Sequence, residues 1–112
     1  MENCLFCRII SKEIPSSVVY EDDEILAFND ITPQAPVHIL LIPKLHISST
    51  EEITEDNKQI AGRIIAAASA IAKQKGLEGY RLVFNSGESA GQSVFHLHCH
   101  LLGGRDFSWP PG

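Results

Sequence analysis

The chain lacks the features that would place it in several broad classes. It has no internal repeat and no low-complexity tract, so it is neither a solenoid nor a biased linker. No uninterrupted apolar run exceeds the length of Ile39–Pro43, far short of a membrane span. The opening MENCLFCRII carries no basic n-region, no long apolar segment and no cleavage site. No signal peptide and a cytoplasmic location are therefore expected. Positive charge is scarce: Lys+Arg number 9 against 14 Asp+Glu, a formal net charge of −5. That balance argues against a nucleic-acid partner, which needs a basic face. A small anion held by a few local donors is compatible with it. Cysteines number 3, an odd count in a chain that reads as cytosolic. Free or metal-bound thiols fit better than a disulfide framework.

What is present suits one globular domain over residues 1–112. Apolar residues make up 44%, enough for a core that needs no staple merely to fold. Charged residues make up 21% and mix both signs, which disfavours disorder.

Cys4–Ser11 reads as two helical turns, with Leu5 and Ile9 on one side, interrupted before Pro15. Val18–Glu21 and Glu24–Asn29 read as short strands around the acidic turn Asp22-Asp23, and Asn29–Pro36 as a loop. Val37–Ile42 is a β-branched and aliphatic strand that Pro43 ends. The spacing predicts a long helix over Thr54–Lys75. Thr54 is its N-cap, Gly76 its stop, and Ile60, Ile64, Ala67, Ala68, Ile71 and Ala72 form one apolar stripe. Tyr80–Ser86 and Ser93–Leu102 read as two more strands joined by Gly87–Gln92, and Asp106–Gly112 as an extended tail. Strands in runs rather than in alternation with helices favour an α+β fold. It would have an antiparallel sheet of about five strands, one long helix and a short N-terminal helix.

Three of the five histidines, His96, His98 and His100, fall in one predicted strand. Alternation would place all three imidazoles on one face and Phe95, Leu97, Cys99 and Leu101 on the other, against the helix. Cα atoms of His96 and His100 roughly 13 Å apart cannot serve one metal ion, but they can grip successive parts of an extended substrate. An imidazole is neutral and nucleophilic near neutral pH, so such a face suits covalent and acid–base chemistry. His38 sits in the Val37–Ile42 strand, where it could meet the three-histidine strand across the sheet, and His46 follows that strand. Taken alone, either reads as a satisfied, partly buried histidine. The loop Gly87–Ser93, GESAGQS, can turn backbone N–H groups inward as an anion nest, with Gln92 and Ser93 adding side-chain donors. It lacks the Gly-Lys-Ser/Thr element of a P-loop. Cys4-Leu5-Phe6-Cys7 is half of a zinc site by its spacing, and a redox pair without thioredoxin-like surroundings.

His96-Leu97-His98-Cys99-His100-Leu101-Leu102 resembles the His-φ-His-φ-His-φ-φ signature of the histidine triad (HIT) family. The likeness extends to Phe6–Ile10, Glu13–Pro15, Ala27–Ile31, Pro33–Pro36, Pro43–Ile47 and Gly91–Ser93. Gly103-Gly104-Arg105 and the terminal Trp109–Gly112 look like the Hint branch, the nucleoside phosphoramidases. The resemblance implies a homodimer with a sheet continuous across the interface. It implies hydrolysis of purine nucleoside 5′-phosphoramidates through a nucleotidyl-histidine. In that frame His98 is the nucleophile, His100 and His38 attend the phosphoryl oxygens, and Ser93 donates near the leaving group. Asp30 binds the ribose hydroxyls, and Phe6, Ile9, Phe28 and Ile31 line the base pocket. Each of these four, taken singly, also reads as ordinary core. Asn85, Gly91 and Gln92 hold sugar and phosphate, and Trp109 reaches toward the partner's site. Cys4, Cys7, His46 and His96 match the ligands of a structural zinc in family members that carry the Cys pair, with no metal required for catalysis. Cys99 is a small core residue. The alternatives are a dinucleoside polyphosphate hydrolase, a hydrolase with catalytic zinc, and a nucleotide-binding protein with little turnover.

Overall fold

A computed structural model describes residues 3–112. The elements in chain order are helix α1 (Leu5–Ile10), strands β1 (Val18–Glu21), β2 (Ile25–Asn29) and β3 (Val37–Pro43), helix α2 (Gln59–Gln74), and strands β4 (Tyr80–Val83) and β5 (Cys99–Gly103). Short 3-10 turns sit at Thr50–Glu52 and Glu88–Ala90. The strands form one antiparallel sheet in the order β1-β2-β3-β5-β4. The expected α+β architecture of five strands with one long helix is what the structure has.

Strand alternation divides the side chains into two layers. On one face Ile25, Ala27, Ile39, Leu41, Cys99 and Leu101 are buried against the stripe of α2 formed by Ile60, Ile64, Ala68, Ile71 and Ala72. Cys99 is a core residue there, and burial pushes its thiol up to about 12. On the other face Leu26, Phe28, Leu40 and Ile42 pack with Phe6 and Ile9 of α1. The second face is the one that also carries His38 and His100.

Several boundaries differ from expectation, each for a local reason. The long helix begins at Gln59, not Thr54. Asn57 Oδ1 accepts the Thr54 N–H at 2.7 Å and Thr54 Oγ1 accepts that of Asp56 at 3.3 Å, so residues 54–57 close a side-chain-bonded turn of their own. Such local bonds compete with helix. On α1 the inward pair is Phe6 and Ile9, while Leu5 is 44% exposed. Strand β4 stops at Val83, and β3 keeps Pro43, paired with Ile25. The largest change is in the histidine segment: regular strand begins at Cys99, not Ser93. Leu97 N–H donates to Ile47 O, and Gln92 reaches Ser48 O, so residues 92–98 wrap the 46–49 loop instead of pairing in the sheet. Phe95 is 48% exposed as a result and does not face the helix.

Candidate active site and metal centre

Because residues 92–98 are irregular, the three histidines do not line one face. His98 and His100 stay together, with ring centroids 5.0 Å apart. His96 turns away and is fully buried. In the β3–β5 ladder His38 opposes Leu102 and Leu40 opposes His100. His38 and His100 are therefore diagonal neighbours on one face, and His38 Nε2 lies 2.9 Å from His100 Nδ1.

The hydrogen-bond partners fix where each imidazole proton sits. His96 O lies 2.8 Å from His98 Nδ1. A carbonyl only accepts, so Nδ1 carries the proton and Nε2 keeps its lone pair. Gln34 N–H donates to His38 Nδ1 at 3.0 Å, so His38 holds its proton on Nε2 and passes a hydrogen bond to His100 Nδ1. His100 is left with its proton on Nε2, a free donor. Burial lowers the basicity of His38, His98 and His100, and His100, beside His98 and His38 as well, falls to about 4. Asp30 opposes this in all three. The cluster is thus neutral at pH 7, with one nucleophilic lone pair on His98 and one aimed N–H on His100.

Asp30 sits just past β2. Its Oδ1 accepts the Thr32 N–H at 2.8 Å, while Oδ2 lies 3.4 Å from His38 Nε2. Asp30 also borders a cleft of about 400 Å³ whose walls include Phe6, Ile9, Phe28 and Ile31. Phe6 and Phe28 meet edge to face at 5.6 Å, and Phe6 touches His98 at 5.1 Å in the same way. Three of the four predicted lining residues are buried, whereas Ile31 stands at the rim, 98% exposed. The structure thus brings Asp30, His38, His98, His100 and an apolar cleft together.

The Gly87–Ser93 loop is placed differently. The Gln92 side chain is 2% exposed and its polar atoms are occupied: Oε1 accepts Gly87 N–H, and Nε2 donates to Ser48 O and Val94 O. The expectation that it offers a side-chain donor to a ligand is corrected, because those hydrogens already bind carbonyls. Gly91 takes φ +95°, and Asn85 Nδ2 lies 3.9 Å from where its Cβ would stand. Ser93 is exposed and borders a separate cleft of about 450 Å³ with Cys4, His46 and Phe95.

The remaining predicted residues form a compact cluster. The Sγ atoms of Cys4 and Cys7 and the imidazole nitrogens of His46 and His96 lie within 4.8 Å of one another. His46 Nδ1 is 3.2 Å from His96 Nδ1, and the Sγ–Nδ1 separations are 3.3 to 3.5 Å. A tetrahedral zinc with ordinary Zn–S and Zn–N lengths sets these at about 3.6 Å for S···N and about 3.3 Å for N···N. His96 Nε2 donates to Pro43 O at 2.7 Å, which leaves its Nδ1 lone pair pointing into the cluster. Burial, with Cys4 alongside, pushes the Cys7 thiol up to about 11, so a cation beside its sulfur is what would let it ionise. The four residues fit a metal ion.

The sequence model described as "Scavenger mRNA decapping enzyme C-term binding" matches residues 3–108. A Brassica juncea 14 kDa zinc-binding protein is 56% identical over 111 residues, covering 96% of this chain and 98% of that protein. An Arabidopsis thaliana relative, adenylylsulfatase HINT1, is 55% identical over 111 residues, 96% of this chain and 76% of that protein. Among solved structures, a HIT family hydrolase from Legionella pneumophila superposes with a TM-score of 0.96 at 52% identity, covering 98% of this chain and 100% of that one. The chain belongs to the histidine triad (HIT) family.

Backbone groups are the functional atoms that sequence reasoning missed: Gln34 N–H, His96 O and Pro43 O. No residue type marks them, since every non-proline residue carries the same amide and every residue the same carbonyl.

Proposed function

We propose that this HIT domain hydrolyses purine nucleoside 5′-phosphoramidates through a covalent nucleotidyl-His98. The observation that carries the proposal is the proton placement: Nδ1–H of His98 held by His96 O, with Nε2 free. The base occupies the Phe6–Ile9–Phe28 cleft with Ile31 at its rim, and Asp30 accepts from the ribose hydroxyls at the inner end. His98 Nε2 attacks the α-phosphorus, the P–N bond to the amine breaks, and the phosphorus becomes attached to the imidazole. Water then cleaves that P–N bond, releasing the nucleoside monophosphate and restoring His98. Splitting one displacement in two lowers each barrier. His100 Nε2–H donates to a phosphoryl oxygen, and its neutral partner His38 keeps that donor in place. Asn85 and Gly91 line the sugar–phosphate path, Gln92 acts by holding the loop, and Ser93 donates on the leaving-group side.

His98→Ala, with His98→Asn beside it, is the decisive variant. Turnover of an adenosine 5′-phosphoramidate is expected to vanish while folding and AMP binding persist. Full activity would end the mechanism, and nucleotide found attached to His98 after brief incubation would support it directly. The relative named an adenylylsulfatase favours a second substrate reading, in which sulfate replaces the amine as leaving group on the same adenylyl-histidine. A panel of phosphoramidates, adenylylsulfate and dinucleoside polyphosphates separates these, and saturable AMP binding without turnover of any would favour a regulatory binder.

Zinc held by Cys4, Cys7, His46 and His96 would supply structural cross-linking of α1 to the histidine segment, and the name of the Brassica relative supports it. The same reading includes a homodimer, and the sheet order leaves room for it: β4 is an edge strand, and its pairing with a second copy would continue the sheet. Trp109, 83% exposed, then reaches toward the partner's site. Sedimentation of the purified chain tests the dimer. No helix among the described residues is long and apolar enough to cross a membrane, and cytoplasmic residence remains part of this proposal.

A further inference from the structure

Two of the tautomer assignments trace to a single backbone amide outside the sheet. Gln34 N–H donates to His38 Nδ1, which forces the His38 proton onto Nε2 and, through the 2.9 Å contact, the His100 proton onto its own Nε2. Gln34 lies in the irregular stretch between β2 and β3, a region that regular pairing does not hold. Local bonds tie part of it, Gln34 Nε2 donating to Thr32 O at 3.0 Å and Thr32 N–H to Asp30 Oδ1 at 2.8 Å, but the Gln34 carbonyl is held from 71 residues further along the chain. Arg105 Nε donates to Gln34 O at 3.1 Å. The guanidinium is braced in turn: one amino group donates to Asp106 O at 3.0 Å, and the plane lies over the Phe107 ring at 4.2 Å. Arg81 lies over the same ring at 5.1 Å and donates to Ser108 O. Gly104 permits the approach, for it takes φ +91° and a Cβ there would meet Pro36 Cβ at 2.9 Å. The segment after β5 is therefore docked on the 34–36 turn at two points.

We infer that Arg105 is a positioning residue for the histidine cluster: its grip on the Gln34 carbonyl keeps the Gln34 N–H on His38 Nδ1 and so fixes the protons of both His38 and His100 on Nε2. If that amide moves away, His38 can hold its proton on Nδ1, and its Nε2 then becomes an acceptor. Two facing lone pairs are unfavourable, so His100 responds by moving its proton to Nδ1. Its Nε2 then has no hydrogen to offer a phosphoryl oxygen. Asp30 Oδ2, 3.4 Å from His38 Nε2, disfavours the new arrangement but does not forbid it. Guanidinium suits this position better than ammonium, because one planar fork can bond a carbonyl and stack on a ring at once.

The effect on turnover rests on the phosphoramidase reading, but the tautomers do not. The test uses the full chain labelled with ¹⁵N in its histidines and backbone. In the parent protein a through-hydrogen-bond coupling between Gln34 N and His38 Nδ1 is expected, with His38 and His100 each showing the Nε2–H pattern alone. Absence of that coupling overturns the inference. Arg105→Met keeps an apolar stem over Phe107 and removes the donor. It is expected to lose the coupling, to show a second His38 tautomer, and to lower kcat about tenfold with KM within twofold. Arg105→Lys, which still reaches Gln34 O, is expected to recover most of both. Parent-like tautomers in Arg105→Met overturn the inference whatever its activity. Should Arg105→Met fail to fold, Phe107→Leu takes its place, because it unbraces the guanidinium, with the same expected and overturning results. A parent protein with the expected tautomers and no phosphoramidate turnover refutes the proposed function and leaves this inference standing.

Discussion

Gln92 offers a sharp test of how the histidine segment is held. Its side chain makes three hydrogen bonds: from Gly87 N–H at 2.9 Å, to Ser48 O at 2.7 Å and to Val94 O at 3.1 Å. Gln92→Met preserves length and volume and removes all three. Gly87, Ser48 and Val94 are only partly buried, so water can reach the groups left behind. Each bond is then worth about 1 kcal/mol rather than the ~3 kcal/mol of a sealed, orphaned group. The sum is about 3 kcal/mol. An unfolding entropy of about 2.1 cal/mol/K per residue gives about 4 °C of Tm per kcal/mol for a chain of this length, hence a loss of about 12 °C. Gln92→Glu should be at least as harmful at pH 7, since it sets a carboxylate oxygen against two carbonyls. Thermal melts followed by circular dichroism read both. A shift below about 3 °C for Gln92→Met, with a raised KM, would show that the side chain serves the ligand and that the loop stands without it.

Further expectations concern pH, metal and backbone. Burial keeps His38, His98 and His100 less basic than in the unfolded chain, with His100 down to about 4. The unfolded state therefore takes protons first. Stability is full above about pH 6.5 and falls as pH drops toward 4, by about 1.4 kcal/mol for each unit of depression, discounted where water reaches the ring. Urea titrations between pH 7.5 and 5, above the range of Glu21, Asp22 and Glu52, should show the decline, and a flat profile would refute the buried neutral cluster. Chelation of zinc-loaded protein, or Cys7→Ser, should lower Tm by 10 °C or more on the order expected of a structural site. Residual turnover at low temperature should survive it, and immediate loss of turnover with unchanged stability would favour a catalytic metal. Gly104→Ala should cost at least about 2 kcal/mol in urea melts, because φ +91° is strained for an L side chain and the methyl would press on Pro36.

How much of this was legible beforehand depended on whether a feature lives in side-chain pattern or in backbone bonding. The two-layer sheet follows from alternation: Ile39 and Leu41 face α2, while His38, Leu40 and Ile42 face α1. That pattern is printed in the sequence, as are the α2 stripe and the Cys4–Cys7 spacing. The start of α2 was not, because Thr54 carries a good capping hydroxyl yet spends it on a turn with Asn57. The histidine segment misled for a related reason. Its alternation of histidine and apolar residues reads as strand to Ser93, but Leu97 N–H goes to Ile47 O and Gln92 to Ser48 O. Pairing with a distant loop has no local signature, and it is this pairing that separates His96 from His98.

That separation gives one residue two connections. The His96 ring presents Nδ1 to Cys4, Cys7 and His46, with its other nitrogen tied to Pro43 O. The carbonyl of the same residue holds Nδ1–H of His98. A regular strand would direct that carbonyl along the ladder and point the His96 and His98 rings the same way. The irregular path instead sends one imidazole to the thiol cluster and frees the carbonyl to set the tautomer of the other. A metal cross-link at the cluster and the proton placement on His98, the proposed nucleophile, would thus pass through a single residue. The triad's tautomers consequently rest on backbone atoms at both ends, His96 O for His98 and Gln34 N–H for His38 and His100. Side-chain substitutions within the triad alone cannot reveal this, and measurements of imidazole protonation can.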